Sequence, residues 1–245
     1  MTTIIGIDCA AQDKKCGIAL GVYERGSVRV LDVRIKQASV VPTLLEWMEP
    51  HDACLLAIDA PLGWPRPLGP ALVSHRAGGP LRFSPDDLFH RDTDREVRRR
   101  TGKRPMEVGA DKIARAALRA VNLIQDLRDG SRRDIPLVWA PGPPASTSAI
   151  EVYPALTLRA RSISDTGYKG SKPDAREHRA SIVTELAEYV ELPRDVDFLV
   201  ASDDALDAVL CLLAAADYID GDVVHPIDLE RARSEGWIWF RSLDG

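Results

Sequence analysis

The chain has 245 residues, 45% hydrophobic and 28% charged, and its 32 Lys and Arg against 37 Asp and Glu leave a formal net charge of −5. These proportions exclude a disordered, collagen-like or coiled-coil chain, and the length suits one large α/β domain over 1–245. The negative balance excludes a globally basic nucleic-acid binder but not a nuclease, because metal-dependent nucleases gather carboxylates at their site. No run is apolar and long enough to span a membrane, and the start, MTTIIGIDCA, lacks a signal-peptide pattern, so a cytoplasmic protein is expected. Cys9, Cys16, Cys54 and Cys211 form no CxxC pair and read as buried thiols.

In chain order, TIIGID, KKCGIALGVYE and SVRVLDVRIK predict a three-stranded antiparallel meander, with Arg25-Gly26 at the second turn. VVPTLLEWMEP then switches to helical spacing through Val41, Leu44, Leu45 and Met48. CLLAIDAP is a short apolar run ending in an aspartate, the pattern of a strand buried on both faces. From Gly63 the chain is rich in Pro, Gly and polar residues, far beyond the usual connection, and 63–104 is read as an insertion in the domain.

Residues 91–104 carry seven basic and three acidic side chains. Ile113, Ala117, Val121, Ile124 and Leu127 then predict an amphipathic helix. LVWAPG and AIEVY read as two further strands separated by a Pro-rich loop, and a helix buried through Ile182, Val183, Leu186 and Val190 follows. The last long helix, SDDALDAVLCLLAAADYIDG, has Ser202 as its N-cap. This order predicts an α/β fold with a central mixed sheet and helices on both faces.

The candidate chemistry is a set of carboxylates. Asp8 and Asp59 each close an apolar strand, so in an open α/β sheet both lie at the ligand-binding carboxyl ends if the strands are neighbours. Asp204 and Asp207 are three apart and share a helix face, where their repulsion calls for an N-terminal dipole or a divalent cation. Glu151, in EVYP, is a further candidate ligand. Hard oxygen ligands suit Mg2+ or Mn2+, which activate water for attack on a phosphodiester. Arg95 and Arg98, in the basic run, and Lys169, between glycines, are the candidate phosphate contacts, weighed against the plain reading of solvated surface.

GIDCA, AIDAPLGWP, RDTDREVRR, EVYPA and DDALDAVLC, in that order, resemble the family catalogued as domain of unknown function 429 and described as predicted RNase H-like nucleases. The resemblance spans nearly the whole chain. It implies an RNase H-like five-stranded sheet whose first strand lies beside the fourth. By similarity to RuvC-like resolvases, Asp8, Asp59, Asp204 and Asp207 fall on acidic motif positions that would hold two metal ions. The chain departs from resolvases in having aspartate where they have glutamate on strand four, and in the segment from Gly63 to Arg104. Two functions remain in competition: a Mg2+- or Mn2+-dependent nuclease acting on DNA or RNA, and a catalytically silent RNase H-like module that binds nucleic acid or protein. A sugar-kinase-like phosphotransferase shares the opening strand but needs a second glycine-rich phosphate loop, which the chain lacks.

Overall fold

The computed structural model describes residues 1–243. Strands β1 (Thr2–Asp8), β2 (Gly17–Glu24) and β3 (Ser27–Arg34) form the predicted meander, followed by α1 (Val41–Met48) and β4 (Cys54–Asp59). Short helices α2 (Leu68–Val73), α3 (Pro85–Phe89) and α4 (Asp92–Thr101) occupy the segment read as an insertion. The basic run is largely α4. Next come α5 (Asp111–Ser131), β5 (Ser148–Glu151), α6 (Pro154–Arg159), α7 (Pro173–Leu186), β6 (Val190–Glu191), α8 (Asp197–Ala201), α9 (Asp203–Asp220) and α10 (Leu229–Glu235).

The strands lie in the order β5-β4-β1-β2-β3-β6. β1, β2 and β3 pair antiparallel, whereas β4 runs parallel to β1 and β5 parallel to β4. The first strand therefore lies beside the fourth, and the architecture is RNase H-like. Three details differ from the expectation. The sheet has six strands, because Val190 and Glu191 pair with Val28 and Arg29 at its edge. Val190 thus belongs to β6 and not to the preceding helix. The predicted strand at LVW is reduced to an isolated bridge from Leu137 to Ala149, since Pro136 precedes it and a Pro-rich loop follows.

Alternating side chains divide the core into two layers. Ile4, Leu55 and Ala57 face a layer built with α6, α7, α8 and α9. Ile5, Ile7, Leu56 and Ile58 face the layer made by α1 and α5. In α5 the buried positions are Ala117, Ala120, Leu123, Ile124 and Leu127. α9 begins at Ser202, whose hydroxyl accepts from Ala205 N at 3.3 Å, as its N-cap pattern predicts. All four cysteines are free and buried. Among the described residues no helix is long and apolar enough to cross a membrane.

Candidate active site

β1 and β4 pair in a register that sets Asp8 directly beside Asp59. Residues in register on neighbouring parallel strands project to the same face, here the face covered by α9. The helix comes unusually close because two glycines line its path. A Cβ at Gly6 would collide with the backbone oxygen of Ala208, and one at Gly17 with that of Asp204. The first two turns of α9 therefore sit against the carboxyl end of β1, and Asp207 points at the two strand-end aspartates.

One carboxylate oxygen each from Asp8, Asp59 and Asp207 lies within 4.8 Å of the other two. Asp207 is fully buried. Its Oδ1 accepts from Tyr168 Oη at 2.9 Å, while Oδ2 has no conventional hydrogen bond among the described residues and lies against Lys169 Nζ. The lysine is held there by its neighbours. Buried Arg179 donates to the carbonyls of Tyr168 at 2.5 Å, Gly170 at 2.9 Å and Val200 at 2.8 Å, and Gly170 N donates to Asp203 Oδ2 at 2.8 Å.

The electrostatics follow from crowding. Burial pushes the Asp8 carboxyl well above the usual aspartate range; Lys169 opposes that shift, and Asp59 and Asp204 add to it. Asp59 is pushed up to about 6, again chiefly by burial, with Lys169 opposing and Glu151 adding. Asp204 is also raised, by burial and by Asp203 beside it. One ammonium thus faces several carboxylates that repel one another.

The other predicted residues are placed differently. Asp204 acts on Asp8 through its charge but contributes no oxygen to the close group of three. Glu151 is in register with Ile58, so its side chain starts from the opposite face to Asp59. Both its oxygens are engaged: Oε1 accepts from Arg91 Nη2 at 2.7 Å, and Oε2 from Arg91 Nη1 at 2.8 Å and Leu62 N at 2.9 Å. Arg91 also bonds Asp94 through Nε and Nη2, and all three side chains are buried. Arg95 is paired with Asp86 and Asp92, whereas Arg98 is exposed and makes no direct ion pair among the described residues. Arg95, Arg98, Arg104 and the buried His90 line a cleft of about 350 Å3. Asp94 lines both this cleft and a cavity of about 430 Å3 at Asp8 and Asp59, so the two adjoin.

Sequence reasoning missed Arg91, Asp94, Tyr168 and Arg179. Arg91 and Asp94 sit in a run whose charge density reads as solvated surface, and only the alternation R-D-T-D hints at an internal pair. Tyr168 and Arg179 carry no local signal, because their partners come from other elements.

Comparison with known proteins is silent on chemistry. No curated protein matches the chain. Among solved structures, T. thermophilus RuvC in complex with Holliday junction substrate is similar, at 12% identity over 90% of this chain and 97% of that one, with a TM-score of 0.39. A family model described as protein of unknown function (DUF429) matches residues 6–231. That match, over most of its length, shows that the chain belongs to the DUF429 family.

Proposed function

We propose that the protein is a divalent-metal-dependent nuclease, hydrolysing phosphodiester bonds at Asp8, Asp59 and Asp207. The observation that carries this reading is the convergence of those three carboxylates within 4.8 Å around a position already facing a cationic group, Lys169 Nζ. The donor set is all hard oxygen, and Asp207 Oδ2 is buried without a conventional hydrogen bond, so the residues fit Mg2+ or Mn2+. Asp8, Asp59 and Asp207 would hold the ion, with Asp204 at the margin. Glu151, already committed to Arg91, is assigned to positioning instead. When bound, such an ion polarises the phosphoryl oxygen and lowers the pKa of a bound water.

The chain's own groups supply the rest. Tyr168 Oη fixes the orientation of Asp207, and Lys169, half-exposed at the mouth, is placed to contact a phosphate oxygen. Arg98 and the adjoining basic cleft supply contacts for flanking phosphates, which suits nucleic acid. Arg95 contributes there to the extent that a phosphate displaces Asp86 or Asp92.

One observation favours the second reading, a nucleic-acid-binding module without turnover: Lys169 Nζ lies against Asp207 and gives the carboxylates a counter-charge of the protein's own. The test is to incubate the purified chain with Mn2+ and labelled single-stranded, duplex, hybrid and junction substrates beside Asp207→Asn. Cleavage by the wild type, reduced at least about 100-fold in the variant, is the expected result. Equal cleavage by both proteins rejects the site. Salt-dependent binding without cleavage selects the second reading.

A further inference from the structure

The cavity at the carboxylates has a volume of about 430 Å3, within the range of small-ligand pockets. Asp8, Asp59 and Lys169 make its polar side. Much of the remaining wall is apolar: Pro105, Met106, Ile113 and Ala116, with the Tyr153 ring beside them. Met106 is 59% exposed and Ile113 is only partly buried, so the fold leaves apolar surface in the cavity that it does not use for its own core. Arg91, Asp94 and Glu151 also line it, and they satisfy one another, so the charge at that end is spent within the protein.

A nucleic-acid backbone alone does not call for such a hollow. Phosphates of a duplex are met by cations on an open surface, and paired bases stay within their stack. An apolar concavity beside the reacting phosphate matches a base that has left its stack, because a base presents a flat π-face to proline, methionine and tyrosine side chains. We propose that this cavity receives one unpaired nucleobase, that of a nucleotide whose phosphodiester lies at Asp8, Asp59 and Asp207, so that the substrate is single-stranded or locally unpaired nucleic acid. The assignment rests on the reading of the carboxylates as a phosphodiester site. Pro105 and Met106 come from the loop after α4, whereas Ile113 and Ala116 come from the first turns of α5. The base would therefore lie between that loop and the sheet end, with the chain leaving toward the basic cleft that shares Asp94.

Fluorescence titration of a short oligonucleotide carrying one fluorescent adenine analogue tests this, with the full chain and Ca2+ in place of Mn2+ to limit turnover. The single strand is expected to bind at least about 10-fold more tightly than the same sequence in a duplex, with fluorescence changed on binding. Ala116→Trp, which fills the cavity, and Met106→Gln, an exposed position that leaves the core intact, should each weaken single-strand binding about 10-fold. Mn2+ binding by either variant should be unchanged. Equal affinity for single strand and duplex, or no effect of Met106→Gln, overturns the proposal. A nucleoside monophosphate that binds as tightly as the strand overturns the polymeric substrate and reassigns the pocket to a free nucleotide. Absence of Mn2+ binding by the wild type condemns the carboxylate reading itself, a result distinct from loss of base binding with metal binding retained.

Discussion

Asp59 sits in a site whose burial disfavours its charge. Its carboxyl ionises near the ordinary aspartate value of 3.8 in the unfolded chain and is pushed up to about 6 in the folded protein. Between those values only the folded form holds the proton. Acidification from about pH 7 to about pH 5 should therefore stabilise the metal-free protein, by on the order of 1–3 kcal/mol. Glu96, lowered to about 2 by Arg99 and Arg100, works in the opposite sense, but its contribution is lost only as the pH falls below the ordinary glutamate value of 4.5. Thermal melts across this range are expected to show a rise in Tm on acidification that is smaller in Asp59→Asn, the raised carboxyls of Asp8 and Asp204 supplying the remainder. The same variant should be more stable than wild type near pH 7 yet fail to bind Mn2+. A wild-type Tm that falls steadily from pH 7 to pH 5 would contradict this account of the site.

At the scale of elements, the segment between β4 and α5 is tied to the sheet through Arg91. This side chain, 1% exposed, joins α4 to Glu151 at the end of β5, and Nη1 reaches Glu235 O in α10 at 3.4 Å. Arg91→Met should cost about 3–5 kcal/mol, because it leaves two buried carboxylates without their counter-charge. A pair of substitutions, Arg91→Met with Glu151→Gln, should recover part of that loss, and chemical denaturation of the single and double variants measures it. The approach of α9 to β1 has a similar dependence on small residues. Gly6→Ala should push the helix away from the strand, lowering both stability and Mn2+ affinity.

These two contacts also separate what the sequence discloses from what it conceals. Asp8 and Asp59 are legible because each ends an apolar run, a local pattern with a direct meaning in a sheet. Asp207 is legible from its spacing to Asp204, although the pattern does not say that only one of the two joins the close group. Glu151, read as opening a strand at EVYP, instead closes β5, and the parity of its register turns it toward Arg91. Lys169 lies between glycines, as a loop residue would; its placement depends on Arg179, ten residues on and in another element. Side chains fixed by tertiary partners leave no periodic trace.

For the whole molecule, a cation that binds only the folded state must stabilise it by mass action. Mn2+ at a hundredfold excess over its Kd should add about 2.7 kcal/mol, a rise in Tm on the order of 5–10 °C for a chain of this size. Chelation should reverse it, and Asp207→Asn should show no such rise. The net charge of −5 and the arginine-lined cleft act on different scales: the first repels a polyanion at long range, and the second attracts it locally. Association with an oligonucleotide should accordingly weaken as salt rises, and reversal of Arg98 to Glu should flatten that dependence.

The pairing of Asp8 with Asp59 has a consequence for how folding itself can be followed. A slip of one residue between β1 and β4 would turn one aspartate to the α5 face while the other stayed on the α9 face, and the three carboxylates would no longer meet. Mn2+ binding at the proposed site would then be a property of the correctly aligned sheet alone. An ion titrated during refolding would count the molecules whose first and fourth strands, separated in sequence by the meander and α1, have found their native alignment.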